Sequence, residues 1–123
     1  MTPEDYLMQV KNIKLRIKAL KGELKGAEAL KDPAYAYLLR ERIESDLLKY
    51  EKLELRIRDE IHEIEDNKLS ALLIEYYVLG KSWEQVAEAL GVKSIKNTQE
   101  NLRAAALKAF AAKHPEYFFE KTP

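Results

Sequence analysis

The stretch GKSWEQVAEALGV, residues 80–92, decides how the chain is read. Ser82 and Gln85 make the S-x-x-Q pattern of a capping box, with Trp83 and Glu84 in the first helical turn. Val86, Ala87 and Leu90 fall on one face. Gly91 stands where a left-handed C-cap is needed, and Val92 is the apolar residue just beyond it. A short helix with so defined a start and stop predicts a tight turn into a second helix that crosses it steeply, a helix-turn-helix. The Ala-x-x-x-Gly spacing fits that geometry: Ala87 lets the axes approach, and Gly91 supplies the positive φ of the turn.

The flanking sequence supplies the rest of such a module. Upstream, Leu69, Leu72, Leu73, Tyr76 and Tyr77 line one helical face that stops at Gly80, after a cap at Asp66-Asn67. Downstream, Ile95, Thr98, Leu102, Ala106 and Phe110 predict a third helix running to about Lys113. Residues 66–123 therefore read as a helix-turn-helix domain. An ordinary three-helix bundle that binds nothing is the plainer reading of the same pattern.

Residues 1–65 read differently. Thr2 caps a first helix, Pro3 suits its first turn, and Glu4 and Asp5 complement its dipole. Apolar residues then recur at Tyr6, Val10, Ile13, Ile17, Leu20, Leu24 and Ala27, alternating steps of four and three, which is a heptad seam. Gly22 and Gly26 share a face and either allow another helix to approach or are surface glycines. Asp32-Pro33 starts a second helix, expected to run to about Ile64, with a seam at Ile43, Leu47, Tyr50, Leu53 or Leu55, Ile57, Ile61 and Ile64. Two long helices joined by a short loop make an antiparallel, coiled-coil-like hairpin. Leu7, Leu15, Leu39 and Leu48 lie off these seams. They point to self-association as a homodimer, or to packing against the C-terminal part of the chain. The expected fold is thus all-α, a helical hairpin over 1–65 for oligomerisation followed by the 66–123 module.

The segment LLIEYYVLGKSWEQVAEALGV, with NLRAAALKAF after it, resembles the fourth region of sigma-70-like factors. It looks most like phage regulators of the ArpU/RinA type, which join an N-terminal helical segment to such a module. Ser82, Trp83, Val86, Ala87, Leu90 and Gly91 match the first helix and turn, and Ala106 and Leu107 match a pair near the end of the recognition helix. The resemblance covers residues 66 to 113. KSIKNTQEN between the matched parts is one residue longer than the usual turn and sets Thr98 or Gln99 where an aliphatic residue is expected. The hairpin does not resemble the segment with which sigma factors melt promoters. The resemblance implies a phage or prophage DNA-binding transcriptional regulator, not a complete sigma factor.

Charge sets the terms for any such function. Of 123 residues 34% are charged, 21 basic against 21 acidic, so no global field draws the chain to nucleic acid. A local patch must do so. From Lys93 to Lys113 the basic residues are Lys93, Lys96, Arg103, Lys108 and Lys113, against the single acid Glu100. Lysines there neutralise phosphates. Asn97, Gln99, Asn101 and Arg103 carry groups able to read base edges in the major groove of double-stranded DNA, and Glu100 can accept from cytosine. Ser82, at a helix N-terminus, is placed to hold a phosphate through backbone N–H groups.

Other chemistry is thin. The chain has no cysteine, which removes disulfides, thiolate metal sites and cysteine nucleophiles and fits a cytoplasmic setting. His62 and His114 lack metal-ligand spacing. No phosphate loop or nucleophile motif occurs, and no enzyme or cofactor is expected. No apolar run reaches the ~18 residues of a membrane span, and no signal peptide is visible. Tyr117, Phe118 and Phe119 form an aromatic tail that either covers the module's core or docks a partner. Two other functions remain open on the sequence. One is a small-terminase-like DNA-packaging subunit; the other is an adaptor whose helix-turn-helix core binds RNA polymerase.

Overall fold

The computed structural model describes residues 1–118; residues 119–123, and with them Phe119 of the aromatic tail, lie outside the described part. The described chain is all-helical. Two long helices, α1 (Pro3–Ala29) and α2 (Pro33–His62), pack against each other as the hairpin. Both start as their sequences require. The Thr2 hydroxyl accepts from the Asp5 N–H while Asp5 answers to the Thr2 N–H, and Asp32 accepts from the Tyr35 N–H ahead of Pro33. Just past the end of α1, Lys31 has a φ of 55°, the one non-glycine residue with a left-handed backbone among those described.

The α1 seam packs as its heptads dictate, with Tyr6, Val10, Ile17, Leu20 and Ala27 buried. On α2 the register differs from the leucine pattern. Ala36, Leu39 and Ile43 are buried, and then Asp46 takes the inward place, while Leu47 and Leu55 are exposed. The reason is a charge pair across the hairpin: the Arg16 guanidinium sits 2.9 Å from the Asp46 carboxylate. Leu53 therefore lies on the seam instead of Leu55. Of the four off-seam leucines, Leu7 and Leu39 are buried within the chain, whereas Leu15 and Leu48 remain exposed.

The open end of the hairpin is covered by the rest of the chain. The α3 helix (Asn67–Leu73) runs into a π-helical turn (Ile74–Val78). After Gly80 come α4 (Trp83–Leu90), α5 (Ile95–Asn97), a second π-helical turn (Thr98–Leu102), α6 (Arg103–Lys113) and the short α7 (Pro115–Phe118). Helical backbone continues through Asn97, Thr98 and Arg103, so α5, the π turn and α6 form one rod. One apolar core spans both parts: Tyr6, Leu7, Val10, Ile57, Ile61 and Ile64 of the hairpin pack with Leu72, Leu73, Tyr77, Val86, Ala106 and Phe110. Phe118 packs on this core as well.

Candidate nucleic-acid interface

The capped helix and its turn form as the sequence dictates. Ser82 Oγ accepts from the Gln85 N–H at 3.3 Å, and Gln85 Oε1 accepts from the Ser82 N–H at 3.0 Å. Gly91 has φ 69°, the Val92 N–H reaches the Ala87 carbonyl at 2.9 Å, and the Gly91 N–H reaches that of Glu88 at 3.1 Å. This pair of bonds is the Schellman closure, and it fixes where the chain leaves α4. Val86 and Ala87 are buried beneath it. The Ser82 side chain is thus spent on capping its own helix.

Between the turn and α6 the helix passes through the π turn at Thr98–Leu102. A π turn widens the helix by one residue per turn, which re-phases the side chains after it without breaking the rod. Thr98 is fully buried at the inward position, and its hydroxyl donates to the Ser94 carbonyl at 2.9 Å, so burial leaves no unpaired donor. Ser94 starts the rod by accepting from the Asn97 N–H.

Lys93, Lys96, Asn97, Gln99, Glu100 and Asn101 are all exposed at this front end. Asn97 and Asn101 are joined side chain to side chain at 2.8 Å and so present one amide face. Ala104 is exposed, and Ile95, expected in the core, is 44% exposed beside the amides. Arg103 is turned away from this set. Its Nη1 lies 2.8 Å from Glu4 of α1, and its Nε donates to the Gln99 carbonyl at 2.9 Å. The Tyr77 hydroxyl is buried beside this pair. Lys113 sits 3.8 Å from Glu65. Among the described residues, the cations from Lys93 to Lys113 with no carboxylate within 4 Å are therefore Lys93, Lys96 and Lys108 rather than all five.

Two features were not legible from sequence. Tyr76 stacks on Trp83 at 3.9 Å with an interplanar angle of 14°, and Lys11 Nζ lies 3.9 Å from the Tyr76 ring centroid. This cation–aromatic stack joins α1 to the N-terminus of α4. At the opposite end, His114 is buried against Phe110 and parallel to Tyr117, with carboxylate oxygens of Glu60, Glu63 and Glu116 within 4 Å. Glu60, itself buried, accepts from the Tyr6 hydroxyl. Glu60 stands 54 residues from both Tyr6 and His114, so spacing along the chain carries no trace of the link between them. Among the described residues no group of His, Asp and Glu has the geometry of a metal site, and no helix is long and apolar enough to cross a membrane. His62 is exposed.

No family model matches the chain, and neither curated proteins nor solved structures give a significant match.

Proposed function

We propose that the chain is a sequence-specific DNA-binding transcriptional regulator of the phage ArpU/RinA kind, reading the major groove with the front of the α5–α6 rod. One observation carries the reading: a helix-turn-helix with a fixed turn presents Lys93, Lys96, Asn97 and Asn101 together on an exposed rod end. Amides able to pair with adenine, flanked by lysines for phosphate, are the chemistry that groove recognition uses. Exposed Ile95 adds an apolar atom group suited to a thymine methyl. A second copy, joined through the hairpin leucines left exposed, would supply two half-sites and the affinity that three free cations per rod lack.

Selection of bound duplexes from a random pool tests this directly. Asn97→Ala is expected to cost roughly 1–3 kcal/mol on the selected site and far less on random duplex, and Lys96→Ala to weaken both alike. Failure to enrich any duplex at low salt overturns the reading. The engagement of Arg103 and Lys113 by Glu4 and Glu65 favours the adaptor alternative, in which the same module docks on RNA polymerase. Retention on polymerase without duplex binding would establish it, and ring-shaped assemblies in light scattering would favour DNA packaging.

A further inference from the structure

The α1 helix carries a second row of cations that the recognition rod does not include. Lys11, Lys14, Lys18, Lys21 and Lys25 recur at steps of three and four, so they lie along one face, just beside the buried seam. Between Tyr6 and Gly22 α1 has no acidic residue. None of the five ammonium groups lies within 4 Å of a carboxylate among the described residues, whereas Arg16, Arg40, Arg58, Lys81, Arg103 and Lys113 all do. The row borders a groove that also takes in Ile17 and Gly22, where an added Cβ would meet nothing within 4 Å.

The row is anchored to the helix-turn-helix at one end. Lys11 lies over Tyr76, which stacks on Trp83 in the first turn of α4, and Lys14 donates to the Val78 carbonyl at 2.8 Å. The free members, Lys18, Lys21 and Lys25, then lead away from the module along the hairpin, all exposed. From Lys18 to Lys25 the free stretch runs about 10 Å at ~1.5 Å per residue. That matches about three base pairs of duplex at ~3.4 Å each.

We propose that this lysine row binds the phosphate backbone of duplex DNA flanking the site read by the rod. The inference rests on the DNA reading above and extends it to contacts that carry affinity without sequence information. A bilayer is the poorer partner. Helices that lie in membranes insert an apolar face, and the apolar seam of α1 is consumed by α2.

The test is a salt titration of the full chain on two duplexes, the minimal selected site and the same site lengthened by about ten base pairs on each side. Parent protein is compared with the triple variants K18Q/K21Q/K25Q and K18R/K21R/K25R, with matched thermal melts confirming the fold. The parent should bind the long duplex more tightly and with a steeper salt dependence. The glutamine variant should lose that difference, its log–log slope falling by about 0.9 per contact and so by up to about 3, while its binding to the minimal site holds. The arginine variant should behave as the parent. An unchanged slope in the glutamine variant overturns the proposal and leaves the regulator reading standing, because site preference survives. A parent with no duplex binding sinks both. Loss confined to phosphatidylserine vesicles, with DNA binding intact, overturns the proposal in favour of a membrane surface.

Discussion

At the scale of single residues, two positions share one backbone conformation and differ in how well their side chains suit it. Gly91 and Lys31 both close a helix from the left-handed region, at φ 69° and 55°. The glycine was legible because only a capped helix ending there makes sense of its place; the lysine was not, because nothing in its identity favours that conformation. An added Cβ at Gly91 meets no neighbour, so any cost of substitution there comes from φ alone. Gly91→Val should therefore lower stability by about 1–2 kcal/mol or more, and Lys31→Gly should raise it by about 1 kcal/mol, both read from chemical denaturation. Equal melting of parent and Gly91→Val would show that α4 ends elsewhere. Tyrosines give a pH limit. Burial, then its bond to Glu60, raises the Tyr6 phenol well above its ordinary 10.0, and burial raises Tyr77 likewise. Burial pushes Tyr50 up to about 12. The folded chain thus keeps protons that the unfolded chain releases near pH 10. Stability should be intact below that pH and fall as the pH rises beyond it, and Tyr6→Phe should flatten the fall. Melting temperatures from about pH 9 to about pH 11 decide it.

Helices were legible in existence, start and first seam, because caps and heptads are local signals. The α2 register was legible only in part. Leu53 and Leu55 fit two helical phases, and the inward place expected of Leu47 is taken by Asp46, which Arg16 reaches from the other helix. Hydrophobic periodicity contains no term for a buried charge. The π turn at Thr98–Leu102 was not legible, because it depends on Thr98 having a core to enter and a Ser94 carbonyl to satisfy it. The α1 glycines answer a question the sequence left open. Among the described residues, no atom outside the helix's own backbone lies within 4 Å of an added Cβ at Gly22 or Gly26, so no other described helix approaches them. Gly22→Ala and Gly26→Ala should each stabilise the chain by roughly 0.5–1 kcal/mol through helix propensity. Destabilisation that deepens with protein concentration would instead reveal a second copy packed against that face.

Across the whole molecule, hairpin and module are joined by a shared core and by polar links that include Lys11 on Tyr76, Lys14 with the Val78 carbonyl, the His114 cluster, and Glu4 with Arg103. The candidate site was legible as a set of exposed groups on the rod, and it was not legible that one of them answers to α1. That link bears on function. Arg103, as the structure holds it, spends its charge on Glu4 and a backbone carbonyl, and Glu4 faces the rod with a negative charge. The pair is only partly buried, so its worth to the fold is small, up to about 1 kcal/mol. Glu4→Gln removes the charge while keeping shape and hydrogen-bonding capacity. It should leave the melting temperature nearly unchanged and tighten binding to the selected duplex by up to about 1 kcal/mol, roughly fivefold, at low salt. The gain should shrink as salt rises, since it is electrostatic. Adding Arg103→Ala to Glu4→Gln should abolish the gain if the released guanidinium is what reaches the DNA. Glu4→Gln binding no better than parent, with the double variant unchanged too, would make Arg103 a strut between hairpin and rod, and would confine base reading to Asn97, Gln99, Glu100 and Asn101.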